Sequence, residues 1–434
     1  MEMKLNPGLI LARGRDFPVK LFYSFMRLFA KDNKMKILDI GSDIQVSNAE
    51  KKEIDAIVKR VQNWIQKHGD YTKYSSSFGT IELRTAVANF YGRRGVTINS
   101  IKDIMITRGI IDAIGKVIRS LDITHVIMPS ILPFFPETIS HMEGKKIIFA
   151  SVDIETGEIN LKSLKAKISH LKIQKGKVLM YMAHPAAPSG ALMSDTYIEK
   201  KLLPFLRKNG IMLFVDNYIY ETCFLEGLCP ISSILSFPNA SDNVIEAIGI
   251  AKEYGLPGLR IGAIAGNKSV VEAVRLLAAT SVDMIPLANQ RIATFILNEI
   301  NPKVSAQRVI EEFYEEVLPR LEAMGWPIIK PKAGFDLLIK VPPNFYREDI
   351  KDPALYACFS ILRRFGVAFY PVSFPYRKSH RFFLRIVLKQ KPSKIGQALD
   401  LLVRKGFNWD SFKPNEEDIH FLNQQIKTLD LTKL

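Results

Sequence analysis

A lysine and an arginine lie close together in a segment of the chain that several glycines punctuate. Lys252 stands among small residues just past a predicted buried strand, and Arg260 follows eight residues later. A lysine amine that is partly removed from water can act as a nucleophile and form a Schiff base with a carbonyl compound. An arginine suits a phosphate dianion because its guanidinium presents a planar fork of donors. The pair predicts covalent chemistry beside a phosphate, although each side chain taken alone could belong to a surface turn.

Two further candidates fall at the ends of predicted strands. Asp216 follows the apolar run 211–215, where a carboxylate could keep a pyridinium nitrogen protonated or could simply cap a turn. The segment around Gly109 joins a strand to a helix. Because the first N–H groups of a helix have no acceptor within it, such a segment can hold a phosphate. Together these positions suit a phosphorylated pyridine such as pyridoxal phosphate.

The elements that must position these residues alternate along the chain. Apolar runs predict strands at residues 103–107, 125–128, 177–182, 211–215 and 244–249. Helical spacing between the strands predicts an α/β fold with a mainly parallel sheet that helices cover on both faces. Such sheets bind ligands at the carboxyl ends of their strands, and the candidate residues fall there.

The chain divides into three predicted parts. Residues 1–45 are expected to form an N-terminal arm and part of a small domain, and residues 46–290 a large cofactor-binding domain. A long helical stretch at about 289–324 is expected to carry the chain out of the sheet domain. Residues 291–434 are then predicted to form a smaller C-terminal α+β domain.

The composition excludes several classes of protein. The 434 residues are 47% hydrophobic and 24% charged, which is typical of globular proteins and unlike disordered or fibrous chains. Three cysteines without paired spacing indicate no metal site and a reducing, cytoplasmic compartment. The net charge of +16 raises nucleic acid or an anionic membrane as partners. Because the basic residues are scattered and no zinc-finger or RNP motif occurs, we expect neither partner.

The order of these parts resembles the class I and II aminotransferases, which are pyridoxal-phosphate enzymes of fold type I. The likeness extends over nearly the whole chain and is most specific in KEYGLPGLRIG, from Lys252 to Gly262. This segment is similar to the family's Schiff-base lysine segment, in the form seen in valine–pyruvate aminotransferases. The resemblance implies the three-layer fold of that family, pyridoxal 5′-phosphate as cofactor and an amino-acid-like substrate.

The resemblance also implies a role for each matching residue. Lys252 and Asp216 are expected to be catalytic. Arg385, Gly41 and Ser42 are expected to bind the substrate, with Arg385 clamping its α-carboxylate through two hydrogen bonds. The residues expected to contact the cofactor are Gly109, Ile110, Ile111, Phe135, Asp216, Tyr218, Tyr220, Lys252, Arg260 and Tyr74.

Tyr74 begins a stretch, YSSSFGTIELR, that is similar to the family's Tyr-x-x-x-x-Gly-x-x-x-Leu-Arg motif. In the family this tyrosine reaches the cofactor phosphate of the neighbouring subunit, which implies a homodimer with shared active sites. An aromatic residue from the segment 133–136 is expected to stack on the pyridine ring. Phe135 is preferred to Phe134 for this position.

The chain departs from the family pattern around the cofactor. Ala187 stands where the family has an asparagine that contacts the phenolic oxygen, and Ile219 stands where it has a tyrosine. Glycine and alanine replace the two serines that precede the lysine in the family. Either Tyr218 or Tyr220 fills the gap at the phenolic oxygen, or the chemistry has moved away from simple transamination.

The function expected from these residues is transamination of an amino acid or related amine. A lyase, cyclase or β/γ-replacement enzyme on the same fold is the alternative, because the same carbanion can follow those routes. A DNA-binding regulator fused to this fold is disfavoured, since only 73 residues precede Tyr74. A binding protein that has lost catalysis is disfavoured because Lys252, Asp216, Arg260 and Arg385 are all retained.

Overall fold

The structure is a computed structural model of the chain. It describes residues 22–24, 26–27, 36–41, 51–69, 73–98, 103–131, 135–220, 233–281, 284–300, 311–373, 382–388 and 390–428. Two residues that the sequence analysis singled out, Ser42 and Phe134, lie outside these ranges.

Strands and helices alternate through the first two thirds of the chain. The strands are β1 (Leu38–Asp39), β2 (Ile104–Thr107), β3 (His125–Pro129), β4 (Lys146–Ala150), β5 (Val178–Ala183), β6 (Ile211–Asn217), β7 (Val244–Gly249), β8 (Gly262–Gly266), β9 (Ile328–Ile329), β10 (Asp336–Lys340), β11 (Val367–Ala368), β12 (Tyr370–Ser373) and β13 (Phe382–Val387). The α-helices are α1 (Lys51–His68), α2 (Ile81–Gly92), α3 (Ile110–Ser120), α4 (Phe135–Met142), α5 (Leu161–His170), α6 (Asp195–Tyr197), α7 (Leu203–Asn209), α8 (Ile250–Glu253), α9 (Lys268–Thr280), α10 (Leu287–Glu299), α11 (Leu318–Ala323), α12 (Pro353–Phe365), α13 (Pro392–Arg404) and α14 (Glu416–Thr428).

The large sheet has seven strands in the order β2-β8-β7-β6-β5-β3-β4. Strands β3 to β7 run parallel, and β8 is antiparallel to both of its neighbours, β7 and β2. Every residue of the inner strand β5 is buried, because helices cover both faces of the sheet. The predicted α/β fold with a mainly parallel sheet is confirmed.

Successive side chains along the strands point to opposite faces of this sheet. In β2, Ile104 and Ile106 face the layer of α1, α2 and α10, whereas Met105 faces the layer of α3 and α9. Tyr181 of β5 and Phe214 of β6 also point to the α3 side. This period-2 pattern determines which side chains can meet at a strand end.

A smaller sheet lies in the C-terminal part of the chain. Strands β12-β13-β10-β9 form an antiparallel sheet, and β1 pairs in parallel with β11. Their core packs against α12 and α13 and includes Phe359, Leu384 and Leu399. The predicted smaller α+β unit is confirmed, whereas the predicted boundaries at 45/46 and 290/291 stay predictions.

The two sheets meet beside a tight turn. The carbonyl oxygen of Gly190 accepts hydrogen bonds from the N–H groups of Lys332 and Ala333, both at 3.0 Å. A Cβ on Gly190 would lie 2.2 Å from the carbonyl oxygen of Ala333, so glycine is required for this close approach. This contact brings the beginning of β10 to the edge where β5 and β6 end.

One predicted helix differs in the structure. Helix α10 ends at Glu299, and Ile300 is extended, so the prediction of a single helical stretch over 289–324 is wrong. Pro302 supplies a physical reason, because proline has no backbone N–H to donate within a continuous helix. None of the helices within the described ranges combines the length and apolar character needed to cross a bilayer.

Candidate active site

Asp216 lies at the carboxyl end of β6, in the middle of the large sheet. It is paired with Ala183 of β5 and Ala247 of β7, and its side chain is buried. Its Oδ2 accepts a hydrogen bond of 2.7 Å from the hydroxyl of Tyr181. Its Oδ1 is also buried, and no hydrogen bond reaches it from any residue that the structure describes. One carboxylate oxygen is therefore held by the protein, and the other lacks the donor that buried oxygens normally have.

The surroundings of Asp216 disfavour its charge. Burial raises the pKa of this carboxyl to about 7, and the hydrogen bond from Tyr181 acts in the opposite direction. Burial, followed by the nearby Asp216 charge, raises the pKa of Tyr181 well above its usual value. The tyrosine hydroxyl therefore stays protonated and donates.

A tight turn leads from β2 into α3 at the same edge of the sheet. Gly109 has φ +92°, and α3 begins at Ile110. The Arg260 Nη2 donates to the carbonyl oxygen of Arg108 at 3.2 Å, and a Cβ on Gly109 would stand 3.4 Å from that Nη2. Gly109 therefore leaves open a space that is bordered by a helix start and a guanidinium.

The glycine at position 249 has a steric explanation. It is the last residue of β7, and a Cβ there would stand 3.3 Å from the Cδ1 of Ile110. A serine at this position would press on the first residue of α3. Packing of α3 against β7 therefore accounts for one of the departures from the family pattern.

Lys252 lies on the short helix α8, which begins immediately after β7 ends. Its side chain is half-buried, whereas the neighbouring Glu253 and Tyr254 are buried. Since β7 is the strand next to β6, Lys252 follows the strand adjacent to Asp216. The structure thus brings the predicted lysine, aspartate and phosphate turn to one edge of the sheet.

Arg385 occupies the small sheet, on β13 between β12 and β10. Its Nη2 donates to the carbonyl oxygen of Gly41 at 3.2 Å, and its Nη1 lies 3.5 Å from Oδ1 of Asp336. Its Cζ sits 4.1 Å from the centroid of the Tyr370 ring. Gly41 and Arg385, both expected to bind the substrate, are therefore in contact, and Asp336 and Tyr370 contact the same guanidinium.

Sequence reasoning missed three residues that contact the candidate site residues. Tyr181 contacts Asp216, and Asp336 and Tyr370 contact Arg385. Tyr370 is directly opposite Arg385 across β12 and β13, and Asp336 is its diagonal neighbour on β10. Within the sequence, Asp336 is the only acidic residue of the segment 334–341, which is otherwise largely apolar. That interruption is a signal, but only the strand register shows which residue it faces.

The two tyrosines beside Ile219 lie in different surroundings. Tyr220 is fully buried, with its ring centroid 4.5 Å from that of Phe90 and the Arg94 Cζ 5.1 Å from its ring. Tyr218 is half-buried and packs beside Ile219 and Phe335. Tyr220 therefore belongs to the packing of helix α2, and Tyr218 is the tyrosine of the pair that keeps exposed surface.

Three other residues that were predicted to contact the cofactor differ in how far their side chains are exposed. Phe135 begins α4, and its ring meets that of Tyr181 edge-on with centroids 6.1 Å apart. Ile111, on the first turn of α3, is 49% exposed. Tyr74 is 90% exposed within the single chain.

Comparisons with known proteins agree with this architecture. A family model described as aminotransferase class I and II matches residues 37–402. An LL-diaminopimelate aminotransferase of Trichormus variabilis is 22% identical over 397 residues, covering 88% of this chain and 96% of the relative. An LL-diaminopimelate aminotransferase of Desulforudis audaxviator is 27% identical over 338 residues, covering 76% of this chain and 83% of the relative.

Solved structures show the same fold. The structure of apo-BacF from Bacillus subtilis superimposes with a TM-score of 0.79 at 18% identity, covering 94% of this chain and 100% of that one. The aspartate aminotransferase of Thermotoga maritima gives a TM-score of 0.74 at 18% identity, covering 94% and 97% of the two chains.

The chain therefore belongs to the class I and II aminotransferase family. The predicted three-layer fold and the predicted enzyme class are both confirmed. These relatives are named as aminotransferases, and nothing in the comparisons favours the lyase, cyclase or replacement alternative.

Proposed function

We propose that this aminotransferase binds pyridoxal 5′-phosphate at the edge of the large sheet and transfers the amino group of an amino-acid-like substrate. The observation that carries the proposal is the buried Oδ1 of Asp216, which receives no hydrogen bond from the described residues. A protonated pyridine nitrogen is a charged donor that would satisfy this oxygen and favour the ionised carboxylate. The residues present therefore fit the ring of the cofactor.

The phosphate of the cofactor would bind at the turn around Gly109. The first N–H groups of α3 have no acceptor inside the helix, and the positive end of the helix dipole favours an anion. The guanidinium of Arg260 borders the same space, where its Nη2 is close to Gly109. Ile110 and Ile111 supply backbone N–H groups in this proposal, and the Ile110 side chain packs against the core between the sheet and α3.

The chemistry at Lys252 and Asp216 follows from their types and places. The bound cofactor supplies an aldehyde that condenses with amines and a ring that accepts the electron pair left at the substrate Cα. Lys252 would hold the cofactor through its amine until the substrate amine replaces it, and would then move the proton from Cα as general base. Asp216 would keep the proton on the ring nitrogen, and a protonated ring accepts the electron pair from the substrate Cα more readily.

The substrate carboxylate would bind at Arg385. The guanidinium can offer two parallel N–H donors to a carboxylate, and Gly41 lies beside it through its carbonyl oxygen. Ser42 remains part of this proposal as a neighbouring substrate contact. Phe135 would cover the ring, and Tyr218 rather than Tyr220 would contact the phenolic oxygen, because Tyr220 packs against Phe90.

We further propose a homodimer in the cytoplasm. Tyr74 is 90% exposed in the single chain, so its side chain is accessible to a partner subunit. In a dimer its hydroxyl would reach the phosphate bound by the partner, as the resemblance implies. The small number of cysteines supports a reducing compartment.

Reduction with borohydride tests the proposed lysine. After incubation with pyridoxal phosphate and reduction, mass spectrometry of the protein should place a phosphopyridoxyl group on Lys252. Lys252→Ala should lose both this adduct and turnover, whereas the exposed Lys268→Ala should keep both. Substrate trials with aspartate and LL-diaminopimelate, the substrates named for two of the relatives, should yield a keto acid and the pyridoxamine form of the cofactor. A protein that binds no cofactor, or an adduct elsewhere with activity retained in Lys252→Ala, would contradict the proposal.

A further inference from the structure

Tyr181 and Asp216 meet because of the register between β5 and β6. Ala183 is paired with Asp216 and Tyr181 is paired with Phe214, so Tyr181 and Asp216 are diagonal neighbours on one face of the sheet. The Tyr181 hydroxyl donates to Oδ2 of Asp216 over 2.7 Å, and both side chains are buried. This contact uses one oxygen of the carboxylate and leaves the other directed elsewhere.

The Tyr181 ring is held from two sides. It stacks on Phe214 with centroids 6.1 Å apart and an interplanar angle of 16°, and it meets Phe135 edge-on at 6.1 Å. All three rings pack in the apolar cluster between the sheet and α3. Because the ring is held, the position of its hydroxyl is determined before any ligand arrives.

The ionisation of Asp216 depends on the Tyr181 hydroxyl, because the other groups that the structure describes around the carboxylate supply no positive charge. Just past β5, the His184 N–H donates to the main-chain oxygen of Asp216 at 3.1 Å, and the buried His184 imidazole is uncharged because burial and Arg94 lower its pKa to about 4. On β7 the paired residue is Ala247, which cannot titrate. Tyr218, two residues beyond Asp216, raises the pKa of Tyr181 rather than supplying a positive charge. Among the residues described, Tyr181 is the side-chain donor to this carboxylate.

We propose that Tyr181 is a positioning residue for the cofactor ring: its hydroxyl fixes the Asp216 carboxylate with Oδ1 towards the ring nitrogen and favours the ionised form of that carboxylate. The inference rests on the proposed function, since it concerns the same cofactor. Tyr181 touches Asp216 and acts through it. Without the hydroxyl, desolvation favours the neutral acid, and a neutral acid is a weak partner for a protonated ring nitrogen.

The experiment compares two aldehydes bound to the protein freed of cofactor. One is pyridoxal phosphate, and the other is its deaza analogue, in which a C–H group replaces the ring nitrogen. Tyr181→Phe should weaken binding of pyridoxal phosphate by about tenfold to a hundredfold, the range expected for losing a hydrogen bond to a charged group. Binding of the deaza analogue should change less than about twofold, because that ring makes no charged contact with Asp216.

A matched control removes a buried hydroxyl elsewhere in the same domain. Tyr197 is buried, and its hydroxyl bonds to the backbone of Ile159 rather than to a titratable group. Tyr197→Phe should leave the affinity for both aldehydes unchanged. In an Asp216→Asn background, adding Tyr181→Phe should also have little further effect, because the carboxylate through which the hydroxyl acts is gone.

The pH dependence gives a second readout. Binding of pyridoxal phosphate is expected to weaken as the pH falls and Asp216 takes up a proton. Tyr181→Phe removes an interaction that favours the ionised form, so the pKa of Asp216 rises and the weakening begins at a higher pH, by about one unit or more. If Tyr181→Phe does not fold, 3-fluorotyrosine at position 181 keeps the hydroxyl as a stronger donor and should shift the profile to lower pH.

Two results would overturn the inference. Equal weakening of both aldehydes would show that Tyr181 contributes only packing, and affinities equal to those of Tyr197→Phe would show that its hydroxyl is not used. Failure of the unsubstituted protein to bind either aldehyde would instead contradict the proposed function, so the two failures are distinguishable.

Discussion

The two ends of the proposed site are prepared in different ways. At the cofactor end, on the large sheet, Asp216 has one oxygen held by Tyr181 and one buried oxygen that receives no hydrogen bond from the described residues. At the carboxylate end, on the small sheet, the guanidinium of Arg385 already contacts Asp336, Gly41 and the Tyr370 ring. The first end can accept a donor without displacing a protein group. The second must exchange contacts when a substrate carboxylate binds.

This difference follows from where the two groups lie. Asp216 is 3% exposed at the end of a central strand, so its carboxylate has little contact with bulk solvent. The side chains of Arg385 and Asp336 are each 14% exposed, and their electrostatic attraction is partly screened by solvent. A buried polar atom without a hydrogen-bond partner contributes strongly to the free energy of binding when a ligand pairs with it. A group that is already paired contributes only the difference in free energy between its old and new partners.

The largest effect is expected at the carboxylate end, from Arg385→Ala. Losing both donors to the substrate carboxylate should weaken substrate binding by about 3 kcal/mol, on the order of a hundredfold. Cofactor affinity should be unchanged, since Arg385 lies on the other sheet. Titration of substrate into the holoenzyme measures the first quantity, and the exposed Arg404→Ala provides the control. Unchanged substrate affinity would refute the role of Arg385.

A steric change at the cofactor end should have an intermediate effect. A Cβ at Gly262 would stand 2.9 Å from the Cα of Gly109 and 2.9 Å from the carbonyl oxygen of Ile248. Gly262→Ala should therefore push the turn at Gly109 away from β8 and weaken cofactor binding by about 1–3 kcal/mol. Equilibrium binding of pyridoxal phosphate measures this effect.

Gly258→Ala is the matched control for this substitution, because a Cβ at Gly258 meets nothing within 4 Å. It should keep the cofactor affinity of the unsubstituted protein. If both variants bind the cofactor equally well, the turn at Gly109 does not hold the phosphate. The claim that the cofactor end is preformed, in contrast to the carboxylate end, would then be wrong.

The smallest effect is expected from Asp336→Asn, which removes a charge and keeps the shape of the side chain. If Asp336 competes with the substrate carboxylate for Arg385, the variant should bind substrate more tightly by about 0.5–1 kcal/mol, or a few-fold. Titration of substrate into the holoenzyme measures the change. Asp349→Asn, in an exposed pair with Arg347, should change nothing.

The opposite sign would be equally informative for this pair. Weaker substrate binding in Asp336→Asn would show that Asp336 orients Arg385 and does not compete for it. The carboxylate end would then be as well prepared as the cofactor end, and the comparison between them would fail.

The positions of the catalytic candidates could be predicted from local sequence. A buried strand followed by Asp216, a strand leading through Gly109 into a helix, and a lysine segment just past another strand are each readable within about ten residues. Parallel strands bring their carboxyl ends to one edge, so these segments had to converge. The prediction of a helical stretch over 289–324 was wrong, because Pro302 disfavours a continuous helix although the apolar spacing around it favours one.

The contacts that tune these candidates depend on neighbours far away in the chain. The sequence by itself determined the α/β pattern and pointed to Lys252 and Asp216 as candidates, because hydrophobic periodicity and residue type are local properties. Arg385 was a candidate through the resemblance to the family. Only the tertiary structure decided that Tyr181 donates to Asp216 and that Asp336 faces Arg385. Strand register makes those pairs, and register depends on how whole strands pack against each other rather than on any segment alone.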